Sequence, residues 1–283
     1  MSSPTPDVGR LTTFYAAMTP SLDTIRGLLA ASGVDPSAVR APDLYERDLD
    51  CHNIGVHAML EQIASVMAEY GAPTEDQVVL DIGCGLGGPG RFLVERFACS
   101  VVGIDALALR TKLAEELSDL TGMSERISYR VADATRTKLP ERSFSHAWML
   151  DVGVHIRDKA ALFGEIARVL EPDGLLVMHD QLGPLPKSMA PVRRRAPYYA
   201  PSFLQLVRYI ENAGLRLLTW RDTTDRAVEY FRALRAVLDA AGPATSPAEQ
   251  RQRNRGAAVL TAYLETLSGP DGRTGTLVAR KRE

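Results

Sequence analysis

Beyond residue 76, short apolar runs of strand length alternate with amphipathic segments. A sheet of parallel strands covered by helices on both faces requires this alternation, because each strand is buried on both sides. The pattern predicts strands at Gln77–Ile82, Ser100–Ile104, Ile127–Val131, Ala147–Leu150 and Leu175–His179, and helices at Arg91–Phe97, Ala108–Leu120 and Lys159–Leu170. We therefore expect an α/β fold with a Rossmann-like, doubly wound sheet that is mostly parallel.

Helical periodicity marks the regions on either side of this core. We predict a helical cap or lid over residues 1–75, the sheet core over 76–182, and a cap insertion with a helix over 183–213. Residues 214–283 should hold a final strand pair, interrupted by a helical insertion over 223–272. The last strand is expected to run antiparallel to the others.

Composition narrows the classes of function. Of the 283 residues, 45% are hydrophobic and 24% are charged, which is enough for a sizeable core, and the formal net charge is −2. A chain without a broad basic field is poorly suited to nucleic acid. No run reaches the length of a membrane span, and the start of the chain lacks the pattern of a signal peptide. The three cysteines lack metal-ligand spacing, so we expect no metal site. Taken with the charge and the apolar runs, this composition leads us to expect a cytoplasmic protein with no nucleic-acid partner and no membrane partner. An apolar stripe on the 224–240 helix suits core packing or a homodimer surface, with a hydrophobic acceptor pocket as a further alternative.

The first predicted strand runs into a glycine-dense turn. In Leu80-Asp81-Ile82-Gly83-Cys84-Gly85-Leu86-Gly87-Gly88, the glycines permit a sharp turn and let a ligand approach the backbone. Gly83, Gly85 and Gly88 also satisfy the dinucleotide fingerprint, and Asp105 after the second strand could bind a ribose in either type of site. The glycines alone therefore leave the ligand open.

Asp81 favours one ligand over the other. A carboxylate at this position would repel the pyrophosphate of a dinucleotide. S-adenosylmethionine (SAM) has no phosphate and carries a sulfonium and an ammonium group, so the same carboxylate attracts it. Asp133, after the third strand, suits the amino group of an adenine.

These motifs, in this order, resemble those of the class I SAM-dependent methyltransferases. The resemblance covers roughly residues 76–222 and the final strand, and includes the stretch Arg168–Leu176 before the fifth strand. It implies SAM as the cofactor and S-adenosylhomocysteine (SAH) as the product. It assigns cofactor contacts to Asp81, Gly83, Cys84, Gly85 and Gly87 in the first motif, to Asp105 and Ala106 at the ribose, to Asp133 and Ala134 at the adenine, and to Leu150 in the fourth strand.

The fourth strand argues for a small-molecule acceptor. Enzymes that methylate base amino groups usually carry an Asn/Asp-Pro-Pro-aromatic tetrad here, whereas this chain has Asp151-Val152-Gly153-Val154. The segment Trp148–Lys159 is similar to the sarcosine/dimethylglycine N-methyltransferases and the ubiquinone/menaquinone C-methyltransferases. The sequence leaves nitrogen, oxygen and carbon open as the methylated atom.

Several residues are candidates for the chemistry. His155, just past the fourth strand, is the leading base, with a structural role as the alternative. Asp180, after the fifth strand, could orient the acceptor, while Tyr45 and His52 could belong to a lid. Tyr15 suits either the site or core packing. Further ambiguous features are Arg193–Arg195, as an anion site or a solvated loop, and the pair Asp151 and Asp180, which lacks a third ligand for a metal.

The leading hypothesis is methyl transfer from SAM to a small molecule. Two alternatives remain at this point: a SAM-binding protein that catalyses another reaction, and an NAD-dependent oxidoreductase.

Overall fold

The computed structural model describes residues 6–51, 54–184, 196–244 and 246–283. Seven strands form one sheet in the order β3-β2-β1-β4-β5-β7-β6. All neighbours are parallel from β3 to β5, and β7 is antiparallel to both β5 and β6. The strands are β1 Val78–Ile82, β2 Ser100–Asp105, β3 Ile127–Val131, β4 Phe144–Leu150, β5 Leu170–Leu182, β6 Leu215–Asp222 and β7 Arg273–Lys281. The expected α/β fold is confirmed, including the antiparallel last strand.

The described helices precede the sheet, connect its strands or interrupt its last strand pair. They are α1 Pro6–Ala16, α2 Leu22–Ala31, α3 Ala41–Tyr45, α4 Val56–Ala68, α5 Gly88–Phe97, α6 Ala108–Leu120, α7 Lys159–Val169, α8 Phe203–Asn212, α9 Thr224–Ala240 and α10 Pro247–Ser268, with a 3₁₀ turn at Gly153–His155. Across the described residues, no helix has the length and apolar character needed to cross a membrane.

Some element bounds differ from the sequence prediction. β4 begins three residues earlier than expected, at Phe144, and β5 extends from Leu170 to Leu182. The polar residues Ser145 and His146 hide the start of β4 from an apolar pattern. Their side chains are satisfied locally, because Ser145 Oγ donates to Val78 O at 3.2 Å and His146 Nε2 lies 3.0 Å from Gly71 O.

The sheet is covered on both faces. On one face, Val79 and Trp148 pack in a cluster with residues of α4 and α5. On the other, Leu80 and Met149 pack with residues of α7 and α8. Because parallel neighbours are in register, as in the pairs Leu80–Val102 and Leu80–Ala147, the carboxyl ends of β1 to β4 meet at one edge.

A buried ion pair joins the cap to this edge. The Arg91 side chain is 0% exposed and donates from Nη2 to Asp50 Oδ2 at 2.7 Å. The same guanidinium donates to the carbonyl of Leu86, and its Nη1 donates to Ser118 Oγ at 3.0 Å and Tyr129 Oη at 3.3 Å. One arginine on α5 therefore connects the segment before α4, the glycine turn, α6 and β3.

Replacement of Asp50 by alanine should destabilise the protein strongly. It would leave the buried Arg91 charge without its anionic partner, which typically costs about 3–5 kcal/mol of unfolding free energy. Urea denaturation measures this effect. Glu69→Ala is the control, since it removes a half-exposed ion pair with Arg221 at 2.9 Å and should cost less than about 1 kcal/mol. Equal, small losses in both variants would contradict a central role for the buried pair.

Candidate active site

A cavity of 440 Å³ lies at the carboxyl edge of β1 to β4. α1 forms the wall that faces the sheet edge, through Asp7, Val8, Leu11 and Tyr15. The volume falls in the range of small-molecule sites. Among the predicted cofactor residues, those that line the cavity are Asp81, Gly83, Cys84, Gly85, Asp105, Ala106, Asp133, Ala134 and Leu150.

The glycine turn has a backbone that side chains would obstruct. Gly83 has φ +70° and Gly85 has φ +56°. A Cβ on Gly83 would lie 2.3 Å from Val152 Cγ2, and one on Gly85 would lie 2.6 Å from Arg110 Nη2. The turn is fixed to β2, because the amide of Gly85 donates to Asp105 Oδ2 at 3.1 Å. A side chain at either glycine would therefore displace Val152 or Arg110, both of which line the cavity.

Gly87 is the exception among the predicted cofactor residues, since it is not part of the described cavity lining. A Cβ at this position would lie 2.2 Å from Tyr129 Oη. The Tyr129 hydroxyl therefore leaves no room for a side chain at residue 87, so packing explains this glycine.

Polar groups follow one another along the sheet edge in the order of the strands. Asp133 follows β3, Asp105 ends β2, the glycine turn follows β1, and Asp151 follows β4. SAM has a matching linear order of adenine, ribose, and sulfonium with its methionine chain. The glycine turn and this order of carboxylates fit SAM.

Asp81 is a buried carboxyl at the base of the cavity. Burial raises its pKa to about 7, the nearby Asp105 adds to the rise, and Arg91 opposes it. Its Oδ2 atom has no hydrogen-bond partner among the described residues. A buried, unpaired carboxyl oxygen is costly, so it suits a cationic or hydrogen-bond-donating ligand.

His155 lies in the 3₁₀ turn after β4 and lines the cavity. Its Nδ1 is 2.7 Å from the carbonyl of Pro197, which can only accept, so Nδ1 carries the proton. Nε2 then has the lone pair, and Tyr15 Oη lies 3.0 Å from it. Burial lowers the pKa of His155 below its usual 6.5, and the hydrogen bond with Pro197 opposes this effect. The imidazole is therefore neutral and able to accept a proton at neutral pH.

Tyr15 of α1 is the second member of this pair. Burial raises its pKa above 10, so the hydroxyl stays protonated and donates to His155. The Arg110 guanidinium lies 4.6 Å from the centre of the Tyr15 ring and holds it against the cavity. The sequence left Tyr15 between a site role and packing, because helical spacing does not show what a helix covers.

Two acidic residues occupy the β4 side of the site. Asp151 lines the cavity, whereas Asp180 lies behind the 3₁₀ turn and is 3% exposed. Asp180 accepts from the amides of Val154 at 3.2 Å and Gln181 at 2.8 Å. Burial raises the pKa of Asp180 to about 7, with Asp151 adding to it. The sequence analysis did not select Asp151 as a site residue, and its position at the end of β4 was the available signal.

Tyr45, one of the two predicted lid residues, is not part of the described cavity lining. Tyr45 is buried, with its ring stacked on His57 at 5.0 Å and edge-on to Phe92 at 5.7 Å. These contacts favour a packing role for Tyr45. His52 and Arg193–Arg195 lie outside the described residues. No cluster of three or more metal-ligating side chains occurs in the described part of the chain.

Substitution of Gly85 by valine should abolish SAM binding, with at least a roughly 100-fold rise in Kd. The branched side chain is unfavourable at the positive φ of this residue, and it would clash with the Arg110 guanidinium in the cavity lining. Isothermal titration calorimetry measures this loss. Gly122→Val is the matched control, because Gly122 has φ +69° but nothing within 4 Å of its Cβ position, and it does not line the cavity. Full SAM affinity in the Gly85 variant would contradict the assignment of the turn.

SAM binding near pH 7 should release protons from Asp81. A positive ligand favours the ionised carboxylate, and the pKa of about 7 leaves roughly half of this group protonated in the free protein at that pH. Calorimetry at pH 7 in two buffers of different ionisation enthalpy measures the release. Asp81→Asn should reduce it and weaken SAM binding. An unchanged proton release would show that Asp81 does not face the ligand.

The family described as a methyltransferase domain matches residues 80–178. A rice (Oryza sativa subsp. japonica) protein assigned as a chloroplastic tocopherol O-methyltransferase is 25% identical over 219 residues, covering 72% of this chain and 60% of the rice protein. The match thus spans less than two thirds of that relative.

Solved structures share the fold. A Galdieria sulphuraria protein assigned as a sarcosine dimethylglycine methyltransferase matches with a TM-score of 0.68 and 25% identity, covering 79% of this chain and 84% of that one. The [4+2]-cyclase SpnF matches with a TM-score of 0.72 and 20% identity, covering 100% of this chain and 99% of that one. Residues 80–178 match the methyltransferase domain family, and the chain resembles SAM-dependent small-molecule methyltransferases in sequence and in fold.

Proposed function

We propose that this protein transfers a methyl group from SAM to a small-molecule acceptor. The observation that carries the proposal is the sequence of groups along the sheet edge, from Asp133 through Asp105 and the glycine turn to Asp151. This spatial order of groups matches the order of the chemical groups in SAM, and it ends beside the Tyr15–His155 pair. The methyl group and a proton acceptor would therefore meet on the β4 side of the cavity.

When bound, SAM would supply a methyl group on its sulfonium. An acceptor atom would attack this methyl carbon in line with the carbon–sulfur bond, with SAH as the leaving group. The protein has to position the acceptor and, for a protonated nucleophile, remove a proton. Tyr15 Oη covers the lone pair of His155, so an acceptor meets the tyrosine hydroxyl first. A proton from the acceptor would then pass to Tyr15 while the Tyr15 proton passes to His155 Nε2.

The oxidoreductase alternative fits the site less well. A dinucleotide would place a pyrophosphate over the turn, close to the carboxylates of Asp81 and Asp105, where the Arg110 guanidinium beside Gly85 would offset part of the repulsion. Three buried free cysteines suit a reducing compartment, which supports our proposal of a cytoplasmic enzyme. The absence of a nucleic-acid partner and the homodimer surface remain predictions.

Trideuteromethyl-labelled SAM, incubated with the enzyme and a mixed acceptor panel, tests the proposal. The panel contains small amines and amino acids, phenols and quinols, and prenyl diphosphates. Mass spectrometry should show one product class that gains the label, with SAH formed in equal amount. SAM turnover without label transfer, or binding of reduced nicotinamide instead of SAM, would contradict methyl transfer.

The rate of methyl transfer should fall on the acid side with an inflection below pH 6.5. The reason is that burial lowers the pKa of His155, and protonation at lower pH removes the lone pair on Nε2. His155→Asn keeps a donor for Pro197 but lacks the base, so kcat should fall by about 10²–10⁴. SAM affinity, measured by calorimetry, should change little.

Tyr15→Phe provides the matched test of the hydroxyl. It preserves the ring against Arg110 and removes only the contact with His155, so kcat should fall while SAM still binds. Unchanged pH profiles in both variants would show that the pair does not handle the proton.

A further inference from the structure

Asp151 is held in a constrained position at the end of β4. Its backbone has φ +55°, a conformation that is unusual for a residue with a side chain and that occurs at functional sites. Its amide donates to the carbonyl of His179 at 2.8 Å, and its Oδ2 accepts from the amide of Ile54 at 2.7 Å. The carboxylate is thus fixed by β5 and by the segment before α4 while it lines the cavity.

His179 lies behind Asp151. This imidazole is 0% exposed, and its Nδ1 is 3.3 Å from Asp151 Oδ1. Among the described residues, neither of these two atoms has a hydrogen-bond partner, so the imidazole and the carboxylate face each other at ion-pair distance. On its other side, His179 Nε2 is 3.0 Å from Thr223 Oγ1, which is 2.9 Å from Thr274 Oγ1. Nδ1 can therefore carry the proton towards Asp151 if Thr223 donates to Nε2 and Thr274 donates to Thr223.

The place of Asp151 in the sheet decides which part of the cofactor it meets. In the order β3-β2-β1-β4, Asp133 and Asp105 come before the glycine turn and Asp151 comes after it. The sulfonium of SAM follows the ribose in the same direction. Asp105 is already held by the amides of Gly85 and Leu107. Asp151 is thus the cavity carboxylate on the side where SAM and SAH differ in charge.

We propose that the Asp151 carboxylate distinguishes the positive sulfonium of SAM from the neutral thioether of SAH, and that His179 is the positioning residue that aims it. This inference rests on the proposed function, because it requires SAM in the cavity. A single carboxylate close to a cation in a partly buried site contributes enough Coulomb energy to change an affinity ratio by about tenfold. The pair would help the enzyme to exchange its product for fresh donor.

Other charged and titratable groups face Asp151 and keep their effect in every variant below. Asp180 and His155 interact electrostatically with Asp151, as do four tyrosines, namely Tyr15, Tyr198, Tyr230 and Tyr263. The experiment therefore compares two ligands in one protein at a fixed pH, which cancels their common contribution.

Calorimetric titration of SAM and of SAH gives the ratio Kd(SAH)/Kd(SAM) for each protein. Asp151→Asn, which is nearly isosteric and uncharged, should lower this ratio by about tenfold. His179→Gln can replace Nε2 at Thr223 but not the donor towards Asp151, so it should lower the ratio by several-fold. His179→Asn can replace the Nδ1 donor and should keep the ratio close to the wild-type value.

His146→Gln is the control for loss of a buried histidine. His146 also lies in the sheet, but its ring contacts Ser145 Oγ at 2.9 Å and Gly71 O at 3.0 Å, and it does not line the cavity. Its ratio should equal that of the wild type. Equal weakening of SAM and SAH in the Asp151 variant would overturn the inference, as would equal ratios in His179→Asn and His179→Gln. Failure of the wild type to bind either ligand would instead overturn the proposed function.

Discussion

The conformation of the glycine turn depends on one buried guanidinium. Arg91 has no contact with solvent, so its charge must be compensated inside the protein, and Asp50 supplies the anion. Its remaining donors bind groups of the turn, α6 and β3. A shift of any of these elements would leave a buried donor without a partner, which costs more than the bond itself contributes. The turn is therefore rigid although it is rich in glycine.

This interaction also changes how the cap should be understood. The sequence analysis divides the chain into a cap over residues 1–75 and a core from residue 76. Asp50 belongs to the cap segment, but its carboxylate pairs with Arg91 inside the core. Ile54, in the same segment, donates its amide to Asp151 across the site. The segment between α3 and α4 thus takes part in fixing both ends of the cavity. α1 is different, since its described polar contacts with the site run through side chains such as Tyr15 and Asp7.

The fold and the cofactor wall could be predicted because their signals are local. Strand periodicity, a glycine-dense turn and an acid at the end of a strand can each be recognised within about ten residues. The resemblance then gives these signals an order along the sheet. The contact between Tyr15 and His155 could not be predicted in this way, because the two residues are 140 positions apart and α1 has the same helical pattern whether it covers a site or a core. Tyr45 shows the opposite case, since an aromatic residue in a segment expected to form a lid instead packs against Phe92.

Asp151 combines both situations. Its position after β4 is visible in the sequence, but its function depends on His179 from the next strand, and that strand supplies a buried imidazole where an apolar residue would pack more cheaply. The cost is offset by hydrogen bonding on one side with Thr223 and by the carboxylate on the other.

Two histidines thus lie on the β4 side of the cavity in different surroundings. His155 lines the cavity and would receive a proton through Tyr15, whereas His179 is fully buried and would act only through the Asp151 carboxylate. Under our two proposals, proton transfer involves His155, whereas charge recognition belongs to the Asp151 carboxylate that His179 positions.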